Sequence, residues 1–434
     1  MNRSRIKIAF HTLGCKLNYT ETSTMSRLFP DNEFEVVSSE SRADIYVINT
    51  CSVTGIAERK CRQAIKKFIN RSPDAYIAAV GCYAQLRPHA IAAIPGVDLV
   101  LGNNEKFDIA AYIREKPGKG IPAIHSAMLP EKEPYFPAWS FGGRTRSFLK
   151  VQDGCDYNCS YCTVPLARGK SRNQDIGSVV REAELIAEKG IKEIVITGVN
   201  TGDFGRSTGE TLAGLLKKLV NIKDIERYRI SSIEPNLLTD EIIDIIAGND
   251  KLMPHFHIPL QSGSDRMLGL MRRRYRRELF EQKVTFIKKL LPLAGIGADL
   301  IAGFPGESDS DFNDTFRFVS DMPISYLHVF RYSDRPGTAS EKMTGKIKPS
   351  VKETRTRRLS ELSDQKHLSF CLLNKGVVSE VLFEGRNGRN LITGLTGNYI
   401  RAEHPWDEQL TGQVRKVLLK ETVPSGNIKA ELID

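Results

Sequence analysis

The stretch Ser147–Cys162, SFLKVQDGCDYNCSYC, decides how the middle of this chain is read. Its first half, SFLKVQ, reads as a β-strand. Its second half carries Cys155, Cys159 and Cys162, a CxxxCxxC set on one tight loop. Three thiolates so placed can hold three irons of a 4Fe–4S cluster and leave the fourth iron open. A zinc ion usually wants a fourth ligand, and none lies nearby. Three buried thiols are the plainer alternative.

Five more strand candidates follow this one: EIVITG, RYRISS, HFHIPL, GADLIAG and YLHVFRY. Between them REAELIAEK, TLAGLLKKLV and DEIIDIIAG have helical spacing. Six strand–helix units predict a partial (β/α)6 barrel over residues 145–370, with its cysteine loop after the first strand. A basic helical pattern from Val351 to Phe370 leads out of it. Residues 371–434 hold VVSEVLFEG, LITGLTG, NYIRAEH and QVRKVLLKE, short strands with Gly-rich turns, which predict a small all-β, OB-like barrel.

Upstream, residues 1–118 alternate apolar runs (IKIAF, DIYVIN, YIAAV, VDLVL) with amphipathic stretches, the pattern of an open parallel α/β sheet. A linker is expected over 119–144; it and its approach carry Gly118, Gly120, Pro122, Pro130, Pro134 and Pro137. The fold class is therefore α/β throughout the first two regions and all-β in the third. Cys15, Cys51 and Cys82 each come directly after one of these N-terminal strands. The C-terminal ends of parallel strands share one edge, so three loops would deliver three thiols to one place, with helix N-termini favouring thiolates. That suits a second cluster; three small buried residues are the bland alternative. Cys61 lies mid-helix on the face of Ala57, Ile65 and Phe68, and Cys371 is flanked by apolar residues, so both read as core.

A chain of 434 residues and 41% hydrophobic content can bury a sizeable core. It shows no signal-peptide pattern at Met1–Gly14 and no run of eighteen apolar residues, so a cytoplasmic protein without membrane attachment is expected. Eight cysteines at this length are no disulfide framework; in a reducing compartment they point to metal or catalysis.

The CxxxCxxC loop, with Tyr161 before its last cysteine, resembles the radical S-adenosylmethionine superfamily. TLGCKLN, NTCSVT, GCYAQLRP, GCDYNCSYCTVPLARG, LQSGSDRML and FRYSDRPGT occur in the order of one family's signatures: the chain resembles the radical S-adenosylmethionine methylthiotransferases over essentially its whole length. GLTGNYIRAE in the terminal domain resembles the RNA-binding TRAM module. The resemblance implies two 4Fe–4S clusters, a barrel cluster on Cys155, Cys159 and Cys162 and an auxiliary cluster on Cys15, Cys51 and Cys82. It also implies S-adenosylmethionine, cleaved to a 5′-deoxyadenosyl radical, with sulfur delivered at the auxiliary cluster. The residues it makes candidate cofactor contacts are Tyr161; Thr197, Gly198 and Asn200 after the second strand; Ser232 and Glu234 after the third; Gln261 and Ser262, placed for ribose, after the fourth; and Arg273. Polar residues at barrel strand ends usually build the site. No residue is assigned as catalytic.

TLGCKLN, NTCSVTGIAERK and the short loop RGKSR resemble the group acting on C2 of N6-threonylcarbamoyladenosine at tRNA position 37. The relatives acting on isopentenyladenosine, or on an aspartate of a ribosomal protein, are the alternatives, as is a cluster-bearing RNA-binding module without turnover. Arg168, Lys170 and Arg172 could pair with the threonylcarbamoyl carboxylate, or else only brace the cluster loop. The expected partners are a tRNA anticodon stem-loop and an external, flavodoxin-like electron donor, with no stable protein partner.

Net charge is +10, and it is clustered. Arg266–Lys289 holds nine basic and two acidic residues, including Arg272, Arg273, Arg274, Arg276 and Arg277 around Tyr275. A charge run is often a solvated face, but this one exceeds what solubility requires and predicts RNA contact, with Arg273 or Tyr275 a candidate for the active site. Residues 371–434 hold eight charges of each sign, so charge alone does not make that domain an RNA grip. There Asn398 and Tyr399 are candidates to bond or stack an unpaired base.

Overall fold

The computed structural model describes residues 5–115, 121–129, 134–386, 388 and 390–433; Gly118, Gly120 and Pro130 of the expected linker region lie outside these. The chain forms two compact units. One comprises Met1–Phe141, Phe148–Gln174 and Ser333–Thr338; the other comprises Gly142–Ser147, Asp175–Tyr332 and Ala339–Asp434.

The first unit is built on a six-stranded parallel sheet of order β2-β1-β3-β4-β5-β6, with β1 Ile6–Thr12, β2 Phe34–Val37, β3 Ile45–Thr50, β4 Tyr76–Gly81, β5 Leu99–Leu101 and β6 Ala123–His125. In β3 and β4 every residue is buried, because layers cover both faces. Alternate residues divide between two cores. Tyr46, Ile48, Ile77 and Ala79 pack with Cys61, Ile65 and Phe68 of one helix. Ile45, Val47, Ala78 and Val80 pack on the other side with Met25, Ile109 and Ile113. The helices are α1 Lys16–Ser26, α2 Gly55–Arg71, α3 Cys82–Leu86, α4 Pro88–Ala92, α5 Ile109–Glu115 and α6 Val164–Arg168. The cysteine loop follows β8 (Arg146–Lys150), which pairs antiparallel with the two-residue β7 (Ala138–Trp139). The four N-terminal strand segments read from sequence are all strands. The short β2 and β6 went unread because an edge strand of three or four residues is made by backbone pairing rather than by hydrophobic pattern.

In the second unit β9 (Glu193–Thr197) pairs parallel with β10 (Arg227–Ile230), and β11 (His255–His257), β12 (Gly295–Ala302) and β13 (Tyr326–Arg331) form a parallel block in that order. All but one of the α-helices between these strands begin on side-chain caps. Asp175 caps α7 (Ile176–Ala187), Thr211 caps α8 (Leu212–Leu219), Thr239 caps α9 (Asp240–Ala247) and Ser264 caps α10 (Asp265–Leu270). Ser308 and Asp311 form a capping box on α12 (Asp309–Asp321), which follows α11 (Arg277–Leu290), the helix without such a cap. The 25-residue α13 (Pro349–Leu373) then leads to a closed five-stranded barrel, β14-β15-β16-β18-β17. Its strands are β14 Val378–Arg386, β15 Leu391–Thr396, β16 Arg401–Pro405, β17 Val414–Thr422 and β18 Ile428–Leu432. Cys371 is buried in its core, beside Phe370, Val381 and Phe383. Among the described residues no helix is long and apolar enough to cross a membrane.

Candidate functional site

All six expected ligand cysteines fall in the first unit. Cys15 occupies the N-cap position of α1, Cys82 is the first residue of α3, and Cys51 follows β3 directly. Gly14 and Gly81 make this arrangement possible. Each takes a positive φ, +106° and +94°. A Cβ on Gly14 would lie 2.7 Å from the Cys51 Cβ and 2.9 Å from its sulfur, so the Cys15 loop rests directly on Cys51. Burial, then the neighbouring Cys82 and Cys15 sulfurs, push the Cys51 thiol up to about 12. Cys61 lies behind this loop, its sulfur accepting the Cys51 N–H at 3.3 Å, and is itself wholly buried.

The CxxxCxxC loop is stitched shut at its base. Asp153 and Arg172 exchange backbone hydrogen bonds at 3.0 and 2.9 Å, and the Cys155 N–H bonds the Gly169 carbonyl at 3.0 Å. Gly154 must be glycine, since a Cβ there would sit 2.0 Å from the Lys170 carbonyl oxygen. The N–H of Tyr157 points at the Cys155 sulfur and that of Val164 at the Cys162 sulfur, each at 3.4 Å. Donors aimed at sulfur suit a thiolate or a metal–sulfur group, and in this respect the loop fits one. Tyr161 is half-buried within it.

A buried ion network underlies these loops. The Arg168 guanidinium binds both oxygens of Glu21, the Oδ1 of Asp153 and the Oδ1 of Asn18, all at 2.8–3.0 Å. Lys106 reaches Glu21 at 2.7 Å and Lys150 reaches Asp153 at 3.4 Å. Arg172 reaches Asp153 at 3.2 Å and the Arg168 carbonyl at 2.6 Å. Burial works to raise both carboxyls, but Arg168 with Lys106 and Lys150 holds Glu21 well below its ordinary value, and Arg168 with Lys150 and Arg172 does the same for Asp153. Sequence reading raised Arg168 and Arg172 as partners for a substrate carboxylate or as braces. They are braces: both are buried and bound to carboxylates of this chain, and only Lys170 of the loop is exposed. Glu21, Lys106, Asn18 and Asn103 were missed. The signal available was spacing, since Asn18 and Glu21 lie three and six residues after Cys15 on one helix.

The strand-end candidates fall in the second unit. Thr197 is buried at the end of β9, with its hydroxyl on that of Ser231 at 3.3 Å. Gly198 is half-buried and Asn200 buried in the turn that follows. The Ser232 carbonyl accepts a bond from Thr201. Glu234 forms an ion pair with Arg273, which lies along the Tyr275 ring. Burial raises the Glu234 carboxyl against the pull of Arg273. Gln261 takes a left-handed φ of 66°, uncommon outside glycine, and its carbonyl bonds the Ile301 N–H at 3.0 Å. Ser262 is buried, its hydroxyl 3.0 Å from that of Thr315. Unforeseen from sequence is a row across three adjacent strands: Asp299 Oδ1 bonds His257 Nε2 at 3.0 Å and His328 Nδ1 at 3.2 Å. Although burial opposes it, the two imidazoles hold Asp299 well below the usual carboxylate range.

Of the arginine run, Arg272, Arg274, Arg276 and Arg277 are exposed. A cleft of about 410 Å³ is lined by Arg266, Arg273, Arg276, Asp265, Gly269 and Tyr275. The terminal-domain candidates lie elsewhere: Tyr399 stacks on His255 at 4.2 Å beneath the Arg229 guanidinium. Asn398 donates to the Leu293 carbonyl and to Asn374. Both are engaged within the unit rather than presented to an unpaired base, because the β15–β16 turn is the segment that meets the preceding strands.

Residues 7–102 match the family described as "Uncharacterized protein family UPF0004", and residues 149–319 match the radical SAM superfamily. The chain is 39% identical to threonylcarbamoyladenosine tRNA methylthiotransferase MtaB of Bacillus subtilis, covering 96% of this chain and 94% of that one. It is 40% identical to the protein of the same name from Aquifex aeolicus, covering 95% and 100%. A tRNA-2-methylthio-N(6)-dimethylallyladenosine synthase of Syntrophus aciditrophicus is 31% identical over 95% and 92%. Among solved structures, the radical S-adenosylmethionine methyltransferase TsrM of Kitasatospora setae shares the fold, with a TM-score of 0.54 at 14% identity over 90% of this chain and 81% of that one. Near-full-length identity at this level, with the radical SAM match on the very segment that carries the CxxxCxxC loop, establishes that this chain belongs to the radical S-adenosylmethionine methylthiotransferase family.

Proposed function

We propose that this enzyme places a methylthio group on C2 of N6-threonylcarbamoyladenosine at position 37 of tRNA. The observation that carries the reading is identity: 39–40% to relatives named for that substrate, against 31% to one named for the dimethylallyl substrate. Cys155, Cys159 and Cys162 are assigned to a 4Fe–4S cluster, and Cys15, Cys51 and Cys82 to a second one. Bound there with S-adenosylmethionine, these groups supply one-electron chemistry able to break an unreactive C–H bond, and sulfur for its replacement. The chain's own work is to hold and orient. The shut base of the cysteine loop and the Arg168 network fix the first thiol set. Glycines 14 and 81 let the second set converge. In the second unit Thr197, Gly198, Asn200, Ser232, Glu234, Gln261, Ser262 and Arg273 are assigned to S-adenosylmethionine, with Glu234 and Arg273 presenting one fixed charge pair. The cleft at Arg266 and Arg276, with Arg272 and Arg274, is assigned to the phosphates of the anticodon stem. An external electron donor is required to start each turnover.

The test is a competition among three tRNAs, carrying threonylcarbamoyladenosine, isopentenyladenosine or unmodified adenosine at position 37, followed by digestion and nucleoside mass spectrometry. A methylthio product on the first alone is expected. Product on the isopentenyl tRNA alone moves the enzyme to the neighbouring group.

A further inference from the structure

The network around Glu21 is not charge-balanced. Its buried members are four cations, Lys106, Lys150, Arg168 and Arg172, and two carboxylates, Glu21 and Asp153. Two positive charges are left over in a place where burial of an uncompensated ion is expensive. The surplus is directed. Asn103 accepts the Lys106 ammonium on Oδ1 at 2.8 Å and turns its Nδ2 to the Cys82 sulfur at 3.7 Å and the Ala167 carbonyl at 2.5 Å. Asn18, three residues after Cys15, receives Arg168 on Oδ1, and that same oxygen accepts the Cys15 S–H at 3.6 Å, so Asn18 turns no N–H to this sulfur. Cys82 thus faces an amide N–H whose oxygen is held by a buried cation. A 4Fe–4S core of charge 2+ on three thiolates carries a net charge of roughly −1.

We propose that Lys106, relayed by Asn103, together with Arg168, is the built-in counter-charge of the metal–sulfur group at Cys15, Cys51 and Cys82, and sets its reduction potential. This rests on the assignment of a second cluster made above. The surplus positive charge stabilises the cluster's negative charge and the further negative charge that one added electron brings, so it raises the potential and retains the cluster. These are positioning residues: none is placed as a ligand.

The test uses the full chain with Cys155, Cys159 and Cys162 changed to alanine, so that only the auxiliary group remains, titrated with dithionite as electron source and followed by electron paramagnetic resonance. In that background Lys106→Met removes a cation and is expected to move the midpoint negative. Glu21→Gln removes an anion from the same network and is expected to move it positive. A merely structural role gives no reason for opposite signs. Asn103→Ala leaves the charges unchanged but removes the N–H aimed at Cys82. It is expected to move the midpoint negative and to weaken iron retention against a chelator by ~10–100-fold. Should either charge variant fail to fold, the Asn103 variant decides by itself. Full iron with unmoved midpoints, or shifts of one sign in both charge variants, overturns the inference while leaving the second cluster in place. No iron in the parent background overturns the second cluster and the inference together.

Discussion

Arg168 grips Glu21 with both arms of its guanidinium, Nη1 to Oε1 at 2.9 Å and Nη2 to Oε2 at 3.0 Å, across 147 residues of sequence. The pair joins the helix that follows Cys15 to the helix that follows Cys162, and neither side chain is exposed. Two cysteine sets distant in sequence are thereby tied to one buried contact.

Breaking that contact from one side leaves Arg168 and two lysines short of an anion. Glu21→Ala should destabilise the iron-free chain by about 3–5 kcal/mol. Urea denaturation checks this; a loss below about 1 kcal/mol would mean that the network contributes little.

The same carboxylate ties stability to acid. The Glu21 pKa lies below its ordinary value of 4.5, at about 2, so its contribution is complete above 4.5 and is lost as pH falls toward 2. Asp153 is depressed as well and adds to the loss in that acid range. Unfolding free energy should therefore drop steeply below about pH 4.5, and the drop should be shallower in Glu21→Gln. Equal slopes in the two proteins count against this.

Iron should divide between two sites. Cys159→Ala should lose about half the iron and all cleavage of S-adenosylmethionine, whereas Cys51→Ala should lose about half the iron and keep 5′-deoxyadenosine formation. Colorimetric iron and chromatography of the nucleoside read both. Full iron and full methylthiolation in the Cys51 variant would falsify the second site.

Gly14 carries no ligand, yet it packs on Cys51 of the proposed auxiliary set. With φ at +106° and Cys51 2.7 Å from a would-be Cβ, Gly14→Ala should behave as Cys51→Ala does: iron falls toward half, and cofactor cleavage persists. A variant with full iron shows that the loop can shift aside.

Arg272, Arg274 and Arg276 are exposed, and Arg276 lines a basic cleft. Changing all three to glutamine should weaken tRNA binding and flatten its salt dependence by up to about one log–log unit per lost phosphate contact. Binding measured from low to moderate salt decides; an unchanged slope makes the run a solvated face.

Much of this was legible in the sequence because it depends on local pattern. The α/β class followed from apolar strands alternating with amphipathic helices, and DIYVIN and YIAAV, with their continuous apolar runs, read as buried parallel strands. The family was legible in six ordered motifs, since each motif keeps its residues adjacent in the chain. The strand-end positions of Cys15, Cys51 and Cys82 were equally plain, because parallel strands end on one edge.

What the tertiary structure alone decided was how charged side chains find one another. Nothing near Arg168 in sequence marks it as the partner of Glu21, and from the loop RGKSR its positive charge could serve a substrate or brace the cluster loop equally well. Packing buries it, and a buried guanidinium must be matched by carboxylates wherever the fold brings them. Tyr399 likewise looked free to stack a base until the turn between β15 and β16 laid it on His255. His257, Asp299 and His328 became a row only when three strands took their register. Pattern along a chain carries periodicity and adjacency; long-range ion pairs and ring stacks carry neither, so only the folded arrangement determines them.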